Sequence, residues 1–217
     1  MVQLSVHSLP LAGGALPQRT RVGRWKMLLV MAICAAPVVA SYVTYYVIRP
    51  QGRTNHGTLI QPTRAIPSLA DLPLQTLDGK PVDPSSLKQQ WLFITVAGGG
   101  CDASCEQQLY LQRQIRESLG KEKDRVDRVW LVNDTQPVRP DLKKALEGAT
   151  VLRVPPQALS RWLQPEAGLT LAQHWYLVDP MGQWMMRFPA KSEPRPVLKD
   201  LTKLMRASAG WDEAGRP

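Results

Sequence analysis

The stretch WLFITVAGGGCDASCEQQLYLQRQIRESLG, residues 91–120, constrains this chain more than any other. Trp91 to Val96 is an unbroken apolar run, the pattern of a buried strand. Gly98 to Gly100 follow and allow a tight turn with unrestricted backbone angles. Cys101 and Cys105 then open a helical pattern, in which Leu111, Ile115 and Leu119 recur at four-residue spacing. Thiols at a strand-to-helix turn lie where the helix dipole and free N–H groups stabilise thiolates. A thiolate attacks disulfides and binds soft metals. A structural disulfide, or two inert core cysteines, is the plainer alternative. The position at the turn favours reactivity, and the chain's third cysteine, Cys34, lies far upstream.

A second feature sets the compartment. Residues 27–48, MLLVMAICAAPVVASYVTYYVI, carry no charge over 22 positions. A membrane-spanning helix needs about 20 apolar residues. Arg19, Arg21, Arg24 and Lys26 precede the run, and residues 1–26 hold no acidic side chain. The positive-inside bias puts the N-terminus in the cytoplasm and everything after Arg49 on the far side. Tyr42, Tyr45 and Tyr46 suit an interfacial aromatic belt. A cleaved signal peptide is the competing reading, with Val38 and Ala40 as small residues before a cut at Ser41. The apolar run continues past that point, so an uncleaved anchor is expected. Cys34 reads as a small apolar residue within the span.

The net charge of +9 looks like a nucleic-acid signal until it is located. Residues 1–64 hold seven Lys or Arg and no Asp or Glu, so the remaining 153 residues have a net charge of only +2. The excess flanks the span, and no basic stripe is left to track phosphates. Residues 49–70, RPQGRTNHGTLIQPTRAIPSLA, lack periodicity and read as a tether. The expected organisation is a cytoplasmic segment 1–26, a transmembrane helix 27–48, a linker 49–70, a domain 71–208 and a C-terminal tail 209–217.

Strand and helix signals alternate through that domain. Leu72 to Leu77 alternates apolar and polar residues before the Asp78-Gly79-Lys80 turn. Arg128 to Val132 reads as a second central strand, and Thr150 to Val154 as a short one. Short helices are expected at 140–147 and 156–163, each with Pro near its start. His174 to Val178 and Gln183 to Phe188 form a hairpin around Asp179-Pro180-Met181-Gly182. Pro196 to Arg206 closes the domain as a helix, with Leu198, Leu201, Leu204 and Met205 on one face. The fold class is α/β, a three-layer sandwich, with one N-terminal transmembrane helix.

This order resembles the thioredoxin-like superfamily. The N-terminal anchor, the CxxxC pair and the late strand–DPMG–strand hairpin are together similar to the Sco/SenC family of cytochrome oxidase assembly proteins. The resemblance spans roughly residues 70–207. It implies a thioredoxin-like fold and a copper site made of two cysteines and a histidine. Cys101 and Cys105 match the pair. The histidine implied just before the hairpin falls to His174, three residues after the position that spacing from the DPMG turn indicates, near Leu171. Two thiolates and an imidazole suit copper. The other reading of His174 is a partly buried histidine at a strand start, bonded to backbone. Among other soft donors, Met185 and Met186 are adjacent in a strand and point to opposite faces. Asp102 and Glu106 suit the helix N-terminus.

The resemblance implies a membrane-anchored factor for cytochrome c oxidase biogenesis, acting by copper delivery, by thiol–disulfide chemistry, or both. Cys101 and Cys105 would be its catalytic residues, and Cys101, Cys105 and His174 its metal ligands. An oxidase subunit or another copper chaperone would be its partner. A reductase without metal, or an assembly factor with a structural disulfide, remain as alternatives. The expected location is the bacterial inner membrane, single-pass, with the domain in the periplasm.

Overall fold

The strand Trp91–Ala97 (β4) is buried at every position. A continuous apolar run is what a strand covered on both faces requires. In the computed structural model, which describes residues 21–48, 55–189 and 191–212, β4 occupies the middle of an eight-stranded mixed sheet. It pairs in parallel with Val126–Val132 (β5), from Trp91 opposite Val126 to Ala97 opposite Val132. On its other side it pairs antiparallel with Trp175–Val178 (β7), with Ile94 opposite Tyr176. The remaining strands are Thr58–Ala65 (β1), Leu74–Gln75 (β2), Pro81–Val82 (β3), Ala149–Arg153 (β6) and Gln183–Phe188 (β8), and the sheet order is β1-β8-β7-β4-β5-β6-β2-β3.

Helices cover both faces. Trp91 and Phe93 pack with Ile115 of the helix Ala103–Ser118 (α2) and with Val197, Leu201 and Met205 of Pro194–Ala207 (α5). Leu92, Ile94 and Val96 face the other way, onto Leu159 and Trp162 of Pro156–Trp162 (α4) and onto Leu72 and Leu87. This is the period-two alternation of a strand sorted into two cores, and it produces the expected thioredoxin-like three-layer sandwich. Each large side chain so buried contributes about 1.5–3 kcal/mol.

The expected elements recur with shifted ends. Residues 140–147 form a 3₁₀ turn, Pro140–Leu142, and a single helical turn, Lys143–Leu146 (α3). The expected linker 49–70 departs more: residues 58–65 are the edge strand β1, paired antiparallel with β8. β1 buries none of its side chains fully and carries Pro62, so it shows no hydrophobic alternation. Proline cannot donate to a ladder and is tolerated at such an edge. The buried carboxylate of Asp200 anchors the start of β1, accepting from the N–H groups of His56 at 2.7 Å and Gly57 at 2.9 Å.

The chain divides into two units, residues 1–52 and 53–217. In the first, Arg21–Val43 is a helix (α1) that continues through one π-helical turn, Thr44–Ile48. It is long and apolar enough to cross a membrane, and its side chains are exposed. The expected cytoplasmic segment up to residue 20, residues 49–54 of the linker and residues 213–217 of the tail lie outside the described residues.

Candidate functional site: a disulfide at the strand-to-helix turn

β4 ends at Ala97, and the chain turns through three glycines before Cys101. None of these glycines has a positive φ. They are needed for closeness instead. A Cβ on Gly98 would lie 2.2 Å from Asp134 Oδ2, one on Gly99 2.2 Å from the Gln136 carbonyl oxygen, and one on Gly100 2.3 Å from Gln136 Oε1. The loop after β5 therefore lies directly on the turn. Asp134 Oδ1 accepts from the Gly99 N–H at 2.8 Å. Arg153 in turn holds that loop, donating to the carbonyls of Asp134 and Gln136 at 2.9 and 2.8 Å.

Cys101 and Cys105 are joined in a disulfide, with Cα atoms 5.2 Å apart. Both residues are buried, packed with Leu109, Trp130, Val132 and Leu142. Cys105 is the third residue of α2, and its N–H donates to Oδ1 of the N-cap residue Asp102 at 2.9 Å. Cys101 precedes the helix and has a φ of 38°. That left-handed conformation costs an ordinary residue about 1–2 kcal/mol. Two backbone bonds hold it: the Cys101 N–H donates to Gly98 at 3.2 Å, and Arg139 Nη1 donates to the Cys101 carbonyl at 3.1 Å.

No pattern in the sequence marks Arg139. Its Nη1 also bonds Glu106 of α2 at 2.6 Å, and its other nitrogens bond Asp141. These two carboxylates hold the guanidinium pKa above its ordinary value, and Arg139 pulls the Asp141 carboxyl below its own. Glu106, expected only to favour the helix terminus, thus also ties α2 to the loop after β5. A cleft of about 520 Å³ opens over the disulfide, lined by Cys101, Cys105, Asp102, Asp134, Gln136 and Gln173 among others. A sulfur at a helix N-terminus, with a cleft before it, is placed to exchange with an incoming sulfur.

His174 is buried, 1% exposed, at the start of β7. Its Nδ1 lies 2.9 Å from the Phe188 carbonyl oxygen, and its Nε2 accepts from the Glu166 N–H at 3.2 Å. A carbonyl can only accept, so Nδ1 carries the hydrogen and Nε2 is the acceptor. Both nitrogens are therefore committed to backbone. Burial lowers the His174 pKa from its ordinary value; the bond to Phe188 opposes the shift and the Arg187 charge adds to it. From this segment Thr170, Ala172 and Gln173 border the cleft, and Gln173 closes a capping box with Thr170. Gln108 of α2 reaches the same turn and donates to the Ala172 carbonyl at 2.8 Å.

These residues do not fit a copper site of two cysteines and a histidine. An imidazole with both nitrogens in backbone bonds has no lone pair to offer. Among the described residues, no group of three or more His, Cys, Asp or Glu side chains could hold a metal ion. Of the other soft donors, Met186 is buried in the core and Met181 is exposed.

A family model described as transmembrane-like, thioredoxin-like, C-terminal domain matches residues 91–208, and a transmembrane-like, N-terminal domain model matches residues 17–47. Among solved structures, yeast Sco1 with copper bound is similar at 14% identity and a TM-score of 0.53, over 68% of this chain and 96% of that one. A SCO1/SenC family lipoprotein from Bacillus anthracis is similar at 16% identity and a TM-score of 0.50, over 69% and 99%. At such identities the likeness is one of fold, and it agrees with the three layers described above. No curated protein matches the chain.

Proposed function

The chain belongs to the family of transmembrane-like proteins with a thioredoxin-like C-terminal domain, and on that premise we propose that it is a membrane-anchored thiol–disulfide exchange factor acting through Cys101 and Cys105. The observation that carries this reading is the disulfide itself, set at the turn between β4 and α2 and facing a cleft. In the reduced pair, one thiolate attacks a partner disulfide. A mixed disulfide forms and the partner's first thiolate leaves. The second cysteine then attacks the mixed disulfide, closing Cys101–Cys105 and releasing the partner's second thiol. Two electrons pass from the pair to the partner. The N-terminus of α2 stabilises the thiolate, and the apolar wall of Trp130 and Val132 keeps the pair from bulk water.

The Sco-like fold supports one choice of partner class. We place the activity in cytochrome c oxidase biogenesis, on an oxidase subunit or a copper chaperone whose cysteines must be reduced before metal is inserted. The four basic residues before the span favour a cytoplasmic N-terminus and a periplasmic domain at the bacterial inner membrane. Copper delivery, the other activity that the fold suggests, would have to use the two thiolates alone, with His174 remaining in its backbone bonds.

The test is thiol trapping on membranes from cells expressing the full chain, wild type or Cys101→Ser, in a strain lacking the native copy. Exchange predicts a wild-type pair found in both redox states, and loss of oxidase activity in the variant. A pair that stays oxidised under every growth condition and resists reductant until unfolded would sink the reading and leave a structural disulfide. Titration of the reduced chain with Cu(I) under a competing chelator decides the copper branch.

A further inference from the structure

Arg139 lies 38 positions after Cys101 in the chain, yet donates to its backbone carbonyl at 3.1 Å. We propose that Arg139 is a positioning residue for the cysteine pair: by holding the Cys101 carbonyl it stabilises the left-handed backbone seen in the disulfide form, and so sets how readily the pair is reduced. The inference rests on the thiol-exchange reading and assigns it a regulator.

Three observations carry it. Cys101 has a φ of 38° and precedes α2, so no helical hydrogen bond maintains its conformation. Its N–H is held by Gly98, and its carbonyl by Arg139. Second, Arg139 is a fork with three partners. Nε and Nη2 bond Asp141, while Nη1 is shared between Cys101 and Glu106. The guanidinium thus stands between two carboxylates that offset its charge, which leaves geometry as its main influence. Third, the loop that carries it is seated on the turn through Asp134 and Gln136. It rests on Gly98, Gly99 and Gly100 with no room for a Cβ.

Reduction removes the S–S constraint, and Cys101 is then free to leave the left-handed region for one that ordinary residues prefer. The bond from Arg139 is matched to the strained geometry, so it weights the oxidised form over the reduced one. A contact shifts an equilibrium only through such a difference between its two states.

The experiment equilibrates the full-length chain in detergent micelles with glutathione buffers of set ratio. In the reaction two glutathione thiols are oxidised to one glutathione disulfide, while the Cys101–Cys105 bond takes up two electrons and two protons. Maleimide trapping followed by peptide mass spectrometry counts each form. Arg139→Gln should make the disulfide easier to reduce, lowering its oxidation constant about tenfold, or ~30 mV. Arg139→Lys keeps the charge but cannot bridge Asp141 and Cys101 together, so it should behave like Arg139→Gln. Thermal midpoints of the two redox forms supply the second readout: Arg139→Gln should lower the oxidised form's midpoint more than the reduced form's.

An unchanged constant in Arg139→Gln overturns the inference, as does an equal loss of midpoint in both forms. Recovery of the wild-type constant by Arg139→Lys also overturns it, because charge and not position would then be at work. If Arg139→Gln does not fold, Arg139→Lys decides the matter. A wild-type pair that never exchanges with glutathione removes the thiol-exchange reading and this inference with it. A lowered constant in both variants, beside a wild-type pair that exchanges, supports the inference.

Discussion

His174 donates its Nδ1 hydrogen to the carbonyl oxygen of Phe188 at 2.9 Å, pinning the start of β7 to the end of β8. The same ring receives the Glu166 N–H on Nε2, so one buried imidazole joins two strands to the segment after α4. His174→Ala leaves a backbone donor and a backbone acceptor unpaired in the interior. A loss of about 2–4 kcal/mol is expected by denaturant unfolding. Glutathione exchange at Cys101 and Cys105 should survive the substitution in the folded fraction. Loss of exchange with wild-type stability would reverse these assignments.

The protonation of His174 gives this stability a pH dependence. Burial lowers its folded pKa below the ordinary histidine value, and an added hydrogen on Nε2 would confront the Glu166 N–H donor. The unfolded chain therefore binds the extra proton first as pH falls. Stability from this residue is fully present above the unfolded pKa of about 6.5, and it declines as pH drops through that value towards the folded pKa. Thermal midpoints of wild type between pH 7.5 and 5 should fall more steeply than those of His174→Gln. Parallel curves would show that the ring does not titrate in this way.

Gly99→Ala tests the seat of the disulfide turn. The new Cβ would meet the Gln136 carbonyl oxygen at 2.2 Å and its carbon at 3.0 Å, both backbone atoms. Backbone cannot rotate aside as a side chain can, so the loop must shift. A loss of about 1–3 kcal/mol is expected. Gly120→Ala is a useful contrast: a Cβ there meets nothing within 4 Å, and the penalty comes from its φ of +61° alone, about 1 kcal/mol. Equal stability of Gly99→Ala and wild type would refute the close approach.

Cys101→Ser removes the cross-link while leaving α2 and its Asp102 cap in place. The closed loop is short, with a sequence separation of 4, so the chain-entropy contribution is only about 2 kcal/mol. The variant should fold, melt below the oxidised wild type and near the reduced one, and form mixed disulfides through Cys105 without closing an intramolecular one. A variant that fails to fold would assign the disulfide a structural role.

Much of this architecture is written locally. Trp91–Val96 shows its place because a strand covered on both faces has no polar side to interrupt the run. α2 shows itself through Leu111, Ile115 and Leu119, and the late hairpin through Asp179 to Gly182, where Gly182 takes a φ of 83° and Asp179 Oδ1 accepts from the Gln183 N–H. β1 was illegible for the opposite reason. An edge strand with Pro62 and no fully buried side chain carries no period to read, and its partner lies more than 100 residues away.

Local sequence sufficed for most of the elements other than β1, for the apolar span and for two thiols at a strand-to-helix turn, because each depends on neighbours within a few residues. The surroundings of the thiols came only with the assembled fold. Glycines that promised backbone freedom proved to be contact surfaces for the loop after β5. Arg139 reached Cys101 only once β4 and β5 lay side by side. In the sequence His174 reads as a ligand or as a buried tie, and in the fold Phe188 and Glu166 occupy its two nitrogens. A side chain's chemistry is set by the partners that fill its donor and acceptor sites, and those partners come together only when the chain folds.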